Sequence, residues 1–197
     1  MSAVILAGGK SSRMGRDKAL LKLGAKTLLE NLLAVVNPLF KESLVIVDNR
    51  AKLEGLHLEG AKIQEDWVKG QGPLAAIYTG LLYSRHAASC VLTCDMPLID
   101  QSILMDLVEL WEEDQDVICF KDPGGNDQPF PGIYSRLSRH LMRLLLDRGE
   151  NSMKRYFQVA IVKPCVLAEA RAELLTNMNS PEDYERVLRG KSEWAKG

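Results

Sequence analysis

The sequence predicts an α/β fold, a three-layer sandwich on a mostly parallel Rossmann-like sheet, and three observations support this. Short apolar runs suited to buried strands recur along the chain, patterns of helical period separate them, and 197 residues suffice to bury one sizeable core. The strands are expected at residues 4–7, 44–47, 62–64, 90–93 and 117–120. Because a helix follows each strand, right-handed crossovers are expected, with ligands gathering at the carboxyl ends of the strands.

The helices carry their own signals. Leu28, Leu29, Leu32, Leu33, Val35 and Val36 fall on one face, with Thr27 and Glu30 spaced as a capping box and Asn37-Pro38 as the stop. A second helix is expected from Pro73 through Leu74, Ile77, Leu81 and Leu82. A third should follow Asp100 as N-cap, with Ile103, Leu104, Leu107, Val108 and Trp111 facing inward. The segment "KDPGGNDQPFPG" (121–132) holds three prolines and three glycines, and reads as a loop or broken edge element forming a mobile wall. Beyond it are expected helices over 137–146 and 152–157, a strand over 159–163, and a last helix capped by Ser180 with Pro181 first and Asp183 as the capping-box acid.

Composition limits the function. A net charge of −1 argues against a nucleic-acid binder, and no run reaches the ~18 apolar residues of a membrane span, so a cytoplasmic protein is expected. Cys90, Cys94, Cys119 and Cys165 lack CxxC spacing and read as structural thiols, and the scattered His57, His86 and His140 are given no role.

Three stretches can carry chemistry. "VILAGGKSSRMGRDKALL" (4–21) places Gly8 and Gly9 after the first strand, where backbone N–H groups can face one anion, with Arg13 as a planar fork and Lys18 as a point charge. It is neither a P-loop nor a G-x-G dinucleotide loop. "GQGPLA" (70–75) does match G-x-G-x-x-A, but its position away from the first strand favours a plain helix start. "VLTCDMP" (91–97) sets Asp95 directly after a buried strand, where one carboxylate can hold Mg²⁺ or cap the next turn.

Together these residues resemble the molybdenum cofactor guanylyltransferases, nucleotidyltransferases of the nucleotide-diphospho-sugar transferase type. The opening meets L-A-G-G-x-S-x-R-M-G-x-D-K-x-x-L at every fixed position, and the likeness continues through "EDWVKGQGPLAAI", "CDMP" and "NMNSPED". The resemblance implies transfer of GMP from GTP to molybdenum-loaded molybdopterin, with release of pyrophosphate. It also implies a single domain, with a nucleotide-binding half over about 1–100 and an acceptor-binding half over about 101–190. By the same resemblance Leu6, Ala7, Gly8, Gly9, Lys18, Asp66 and Asp95 bind GTP, with Asp66 towards the base, and "VDNR" after the second strand offers Asp48 or Asn49 as a further GTP contact near the base. Arg13, Lys18 and Asp95 act in catalysis, Asp95 holds Mg²⁺, and Asn177 and Asn179 face the acceptor. Arg148, Lys154 and Arg155 are open to two readings, attraction of the acceptor's phosphate or a solvated helix face. A molybdoenzyme or cofactor-insertion protein would receive the product. The alternatives are the same scaffold using CTP or a sugar-phosphate acceptor, or a non-catalytic nucleotide-binding accessory protein.

Overall fold

A computed structural model describes residues 1–8, 18–56, 58–122 and 124–194. Nine strands and six α-helices follow in the order β1 (Ser2–Leu6), β2 (Lys22–Leu23), β3 (Lys26–Thr27), α1 (Leu28–Val36), β4 (Ser43–Val47), β5 (Ala61–Glu65), α2 (Gly72–Tyr83), β6 (Ala88–Thr93), α3 (Gln101–Leu110), β7 (Val117–Lys121), β8 (Asp127–Ser135), α4 (Ser138–Asp147), α5 (Met153–Val159), β9 (Val162–Cys165) and α6 (Pro181–Trp194) among the described residues. Seven of the strands form one sheet in the order β5-β4-β1-β6-β8-β7-β9, and β2 pairs with β3 apart from it. The pairs β5/β4, β4/β1, β1/β6 and β7/β9 are parallel, and only β8 runs against its two neighbours.

The alternation of side chains along the strands divides the interior into two layers. Ala3, Ile5, Val45, Val47, Cys90, Leu92, Ile118 and Phe120 pack with Leu29, Leu33 and Val36 of α1 and Ile103, Leu104 and Leu107 of α3. Val4, Leu6, Leu44, Ile46, Val91 and Tyr134 face the other way, onto Leu74, Ile77 and Leu81 of α2, Met142 and Leu145 of α4, and Tyr156 of α5. This is the expected three-layer sandwich. Helix α2 lies so close to the sheet that a Cβ on Gly80 would stand 2.4 Å from a methyl carbon of Val4, so a larger residue there would push the helix off β1.

The caps form as the spacing predicts. Thr27 Oγ1 accepts from the Glu30 N–H at 3.2 Å while the Thr27 N–H donates to the Glu30 carboxylate at 2.7 Å. Asp100 accepts from the Ile103 N–H, and Ser180 and Asp183 cap α6 reciprocally.

Two expectations need correction. The segment 121–132 is not an edge wall: its second half belongs to β8, which sits inside the sheet between β6 and β7. The prolines are tolerated because the ladder is broken where they fall. Against β7 the register jumps from Gly132↔Cys119 to Gln128↔Phe120, so Pro129, Phe130 and Pro131 bulge out and the N–H groups that Pro129 and Pro131 lack cost no pairing there. The expected strand 159–163 starts later, at Val162, because α5 extends through Val159 and β9 takes its register from Val117↔Val162. All four cysteines are free thiols, and burial pushes Cys90 and Cys119 up to about 12. Among the described residues, no helix is long and apolar enough to cross a membrane.

Candidate active site

Four parallel strands, β5, β4, β1 and β6, end at one edge of the sheet, followed by Asp66, Asp48, Ala7-Gly8 and Cys94-Asp95. Pairing of Val47 with Glu65 leaves Asp48 and Asp66 as the next residues of adjacent strands, so the two carboxylates stand side by side. Pairing of Leu6 with both Ile46 and Thr93 places Ala7 and Gly8 between the ends of β4 and β6, with Asp95 two residues past the last pair. Gly8 is required for space rather than for an unusual dihedral, since it is not among the glycines with positive φ and a Cβ there would lie 3.0 Å from the Asp48 backbone nitrogen.

Above this edge opens a cavity of about 620 Å³, within the range typical of small-ligand sites. Leu6, Ala7, Gly8, Lys18, Asp48, Asp66 and Asp95 all line it, so the structure brings together seven of the residues singled out in the sequence. Gly9 and Arg13 lie outside the described residues. Asn179 joins the group through its side chain, whereas Asn177 is exposed and makes no hydrogen bond to a described residue. Arg155 is paired with Glu150, which counts against an anion-attracting role for it.

The chemistry centres on Lys18. Its ammonium donates to Asp95 Oδ2 at 3.1 Å and to Asn179 Oδ1 at 2.9 Å, with the Lys18 and Asp95 side chains only 17% and 20% exposed. Asp95 Oδ1 is buried and has no hydrogen-bond partner among the described residues. An oxygen of a carboxylate left this way is costly unless something arrives to meet it. It suits a hard cation that takes one protein carboxylate and keeps its other positions for water and phosphate, as Mg²⁺ does. Among the described residues there is no cluster of three or more His, Cys, Asp or Glu side chains that could hold a metal ion.

Elsewhere in the cavity lining Asp66 Oδ1 accepts from Thr79 Oγ1 at 2.7 Å and from the Val68 N–H at 3.2 Å. Burial raises the Asp66 carboxyl above its ordinary value, and these two donors offset that only in part. Asp48 Oδ2 is held by Lys52 at 2.7 Å, while its Oδ1 is buried without a partner among the described residues. Sequence reasoning missed Thr79, the hydroxyl that orients Asp66, because a threonine within a helical period carries no signal of what stands opposite it. It also missed Lys69 and Cys94 in the lining, whereas Gly70, Gly72 and Pro73 of the quoted "GQGPLA" stretch do line the cavity. Lys69 pairs with Glu65 across a turn, where four-residue spacing carries no helical signal.

An open α/β sheet with a cavity at its parallel carboxyl edge, a fixed ammonium and a half-satisfied carboxylate defines a nucleotide-handling protein. Residues 3–162 match the MobA-like NTP transferase domain. The chain is 35% identical to a probable molybdenum cofactor guanylyltransferase of Carboxydothermus hydrogenoformans, over 96% of this chain and 95% of that one. It is 32% identical to a molybdenum cofactor guanylyltransferase of Pseudomonas entomophila, over 92% and 94%. In fold it is similar to the crystal structure of molybdopterin-guanine dinucleotide biosynthesis protein A from Archaeoglobus fulgidus, at a TM-score of 0.83 and 22% identity, covering 98% of this chain and all of that one. The chain belongs to the MobA-like NTP transferase family, and its fold is of the nucleotide-diphospho-sugar transferase type.

Proposed function

We propose that the protein transfers GMP from GTP to molybdenum-loaded molybdopterin, giving the guanine dinucleotide cofactor and pyrophosphate. One observation carries this reading: a single ammonium, Lys18, spans the carboxylate at the nucleotide cavity and the asparagine of the acceptor segment. The reaction joins two phosphorylated substrates, and a cation at their meeting point is what it requires.

The attacking phosphate oxygen is already ionised, so the protein need supply neither a nucleophile nor a general base. Its residues bind, align and neutralise. Leu6, Ala7 and Gly8 form the floor beneath the nucleoside, and Asp48 and Asp66 face the base. Lys18, together with Arg13, neutralises the triphosphate. Asp95 would hold Mg²⁺, with its unpartnered oxygen as the ligand atom. When bound, that ion spreads the charge that builds up on the transferring phosphoryl group and the leaving pyrophosphate. On this reading the first hundred or so residues hold the nucleotide and the remainder hold the acceptor, and a molybdoenzyme or insertion factor takes the labile product.

Separate calorimetric titrations with GTP, CTP, UTP and ATP, each with Mg²⁺, test the base. GTP is expected to bind in preference, and a clear CTP preference overturns the guanine assignment. Pyrophosphate release from GTP with loaded molybdopterin tests the transfer, and tight binding without release would leave an accessory protein instead.

A further inference from the structure

We infer that Asn179 is a positioning residue for Lys18, fixing the ammonium at the junction of the two substrates so that nucleotide binding depends on the acceptor segment. This rests on the guanylyltransferase reading above, and adds to it a link between the sites that operates before any acceptor arrives.

A lysine ammonium is a compact charge on a long, freely rotating stem, and holding it still costs side-chain entropy unless several oxygens receive it. Here two oxygens do so, from parts of the chain far apart in sequence. Asp95 Oδ2 comes from the end of β6, and Asn179 Oδ1 comes from the turn before α6. The turn is itself anchored. Met178 is fully buried and gives its N–H to the Asp95 carbonyl at 2.8 Å, and the Asn179 N–H donates to Asp183 Oδ2 at 3.0 Å. The residue that receives Lys18 therefore also holds the strap from which Asn179 reaches across. The Asn179 side chain is exposed, so it does not serve packing; the described contact that explains its orientation is the one to Lys18.

A cation on the free Oδ1 of Asp95 would repel the nearby Lys18 ammonium and weaken its hold on Oδ2. The ammonium then keeps the Asn179 oxygen as its fixed partner and is directed from there at phosphate oxygens. Without Asn179 it has no such hold, and falls back on Asp95 or swings into water.

The test measures Mg·GTP affinity in the absence of acceptor, by calorimetry, for the wild type, Asn179→Ala, Lys18→Ala and the double variant. Groups that act through one contact should lose affinity non-additively. Asn179→Ala is expected to weaken binding about tenfold, and the double variant should be no weaker than Lys18→Ala alone. Thermal melting of Asn179→Ala should match the wild type, because the backbone bonds that hold the turn remain. Unchanged Mg·GTP affinity in Asn179→Ala, with only the acceptor KM raised, overturns the inference, as do losses that simply add in the double variant. Failure of the functional reading looks different: the wild-type chain itself then fails to bind Mg·GTP.

Discussion

The two ends of the central sheet each bury a carboxylate and treat it in opposite ways. At the amino edge Glu42, which precedes β4 and is 6% exposed in its side chain, is fully supplied with donors. It accepts from Ser2 Oγ at 2.9 Å, from the Arg85 N–H at 3.0 Å and from Lys62 Nζ at 3.0 Å, and His86 Nδ1 bonds to the same serine. At the carboxyl edge Asp95 has one oxygen on Lys18 and the other on nothing among the described residues. A satisfied buried carboxylate holds the fold together, and a half-satisfied one is ready for a ligand. The difference separates stability from activity along the axis of one sheet.

The largest effects should come from the half-satisfied end. Asp95→Ala and Lys18→Ala are each expected to slow pyrophosphate release by at least about 100-fold, the scale of losing one transition-state charge partner. Their urea-unfolding midpoints should stay near the wild-type value, and a collapse of stability in either would erase the contrast. Removing the satisfied carboxylate should do the reverse. Glu42→Ala is expected to cost about 3 kcal/mol by urea melts at neutral pH, since it strips a buried acceptor from several donors, with turnover per folded molecule retained.

The pH dependence sharpens the same point. Burial alone would raise the Glu42 carboxyl, but the hydrogen bonds from the Arg85 N–H, Lys62 and Ser2 outweigh it and bring it from 4.5 to about 2. A depressed carboxyl stabilises the fold above its unfolded value and loses that contribution as protons are taken up. The gap between wild type and Glu42→Ala should therefore be full at neutral pH and shrink as pH falls from 4.5 towards about 2. A gap that persists at the acid end assigns the effect to packing instead. The smallest effect is expected at Thr79→Val. It strips the Trp67 N–H and Asp66 of a partner, costs about 1–2 kcal/mol of stability, and removes a group that lowers the Asp66 carboxyl. Asp66 then rises further, so the acid limb of nucleotide binding should shift to higher pH.

Much of this was legible in the sequence because local chemistry decided it. The caps at Thr27, Asp100 and Ser180 need only residues three apart, and the parallel strands declare themselves by apolar runs that end in Gly8, Asp48, Asp66 and Asp95. What stayed hidden depends on partners distant in the chain. Nothing in "DQPFPGIYS" says that its prolines would fall at a register break and leave the rest free to enter the sheet. Likewise the "NMN" motif does not distinguish Asn179, which turns towards Lys18, from Asn177, which does not. A cavity lining made by side chains from several strand ends is legible only where each one follows a recognisable run, which is why Thr79 and Lys69 escaped notice.

The bond between Lys18 and Asn179 joins residues 161 positions apart. On a ribosome the chain emerges from its amino end, so Lys18 is made well before Asn179, the support on which its ammonium rests. The sheet strands β1, β4, β5 and β6 can assemble early, yet the ammonium gains its second oxygen only when the turn before α6 has been synthesised and has docked on Asp95. Fixed placement of the Lys18 ammonium is thereby deferred until the turn before α6 has docked, and a nascent chain that has the opening motif intact would still lack it.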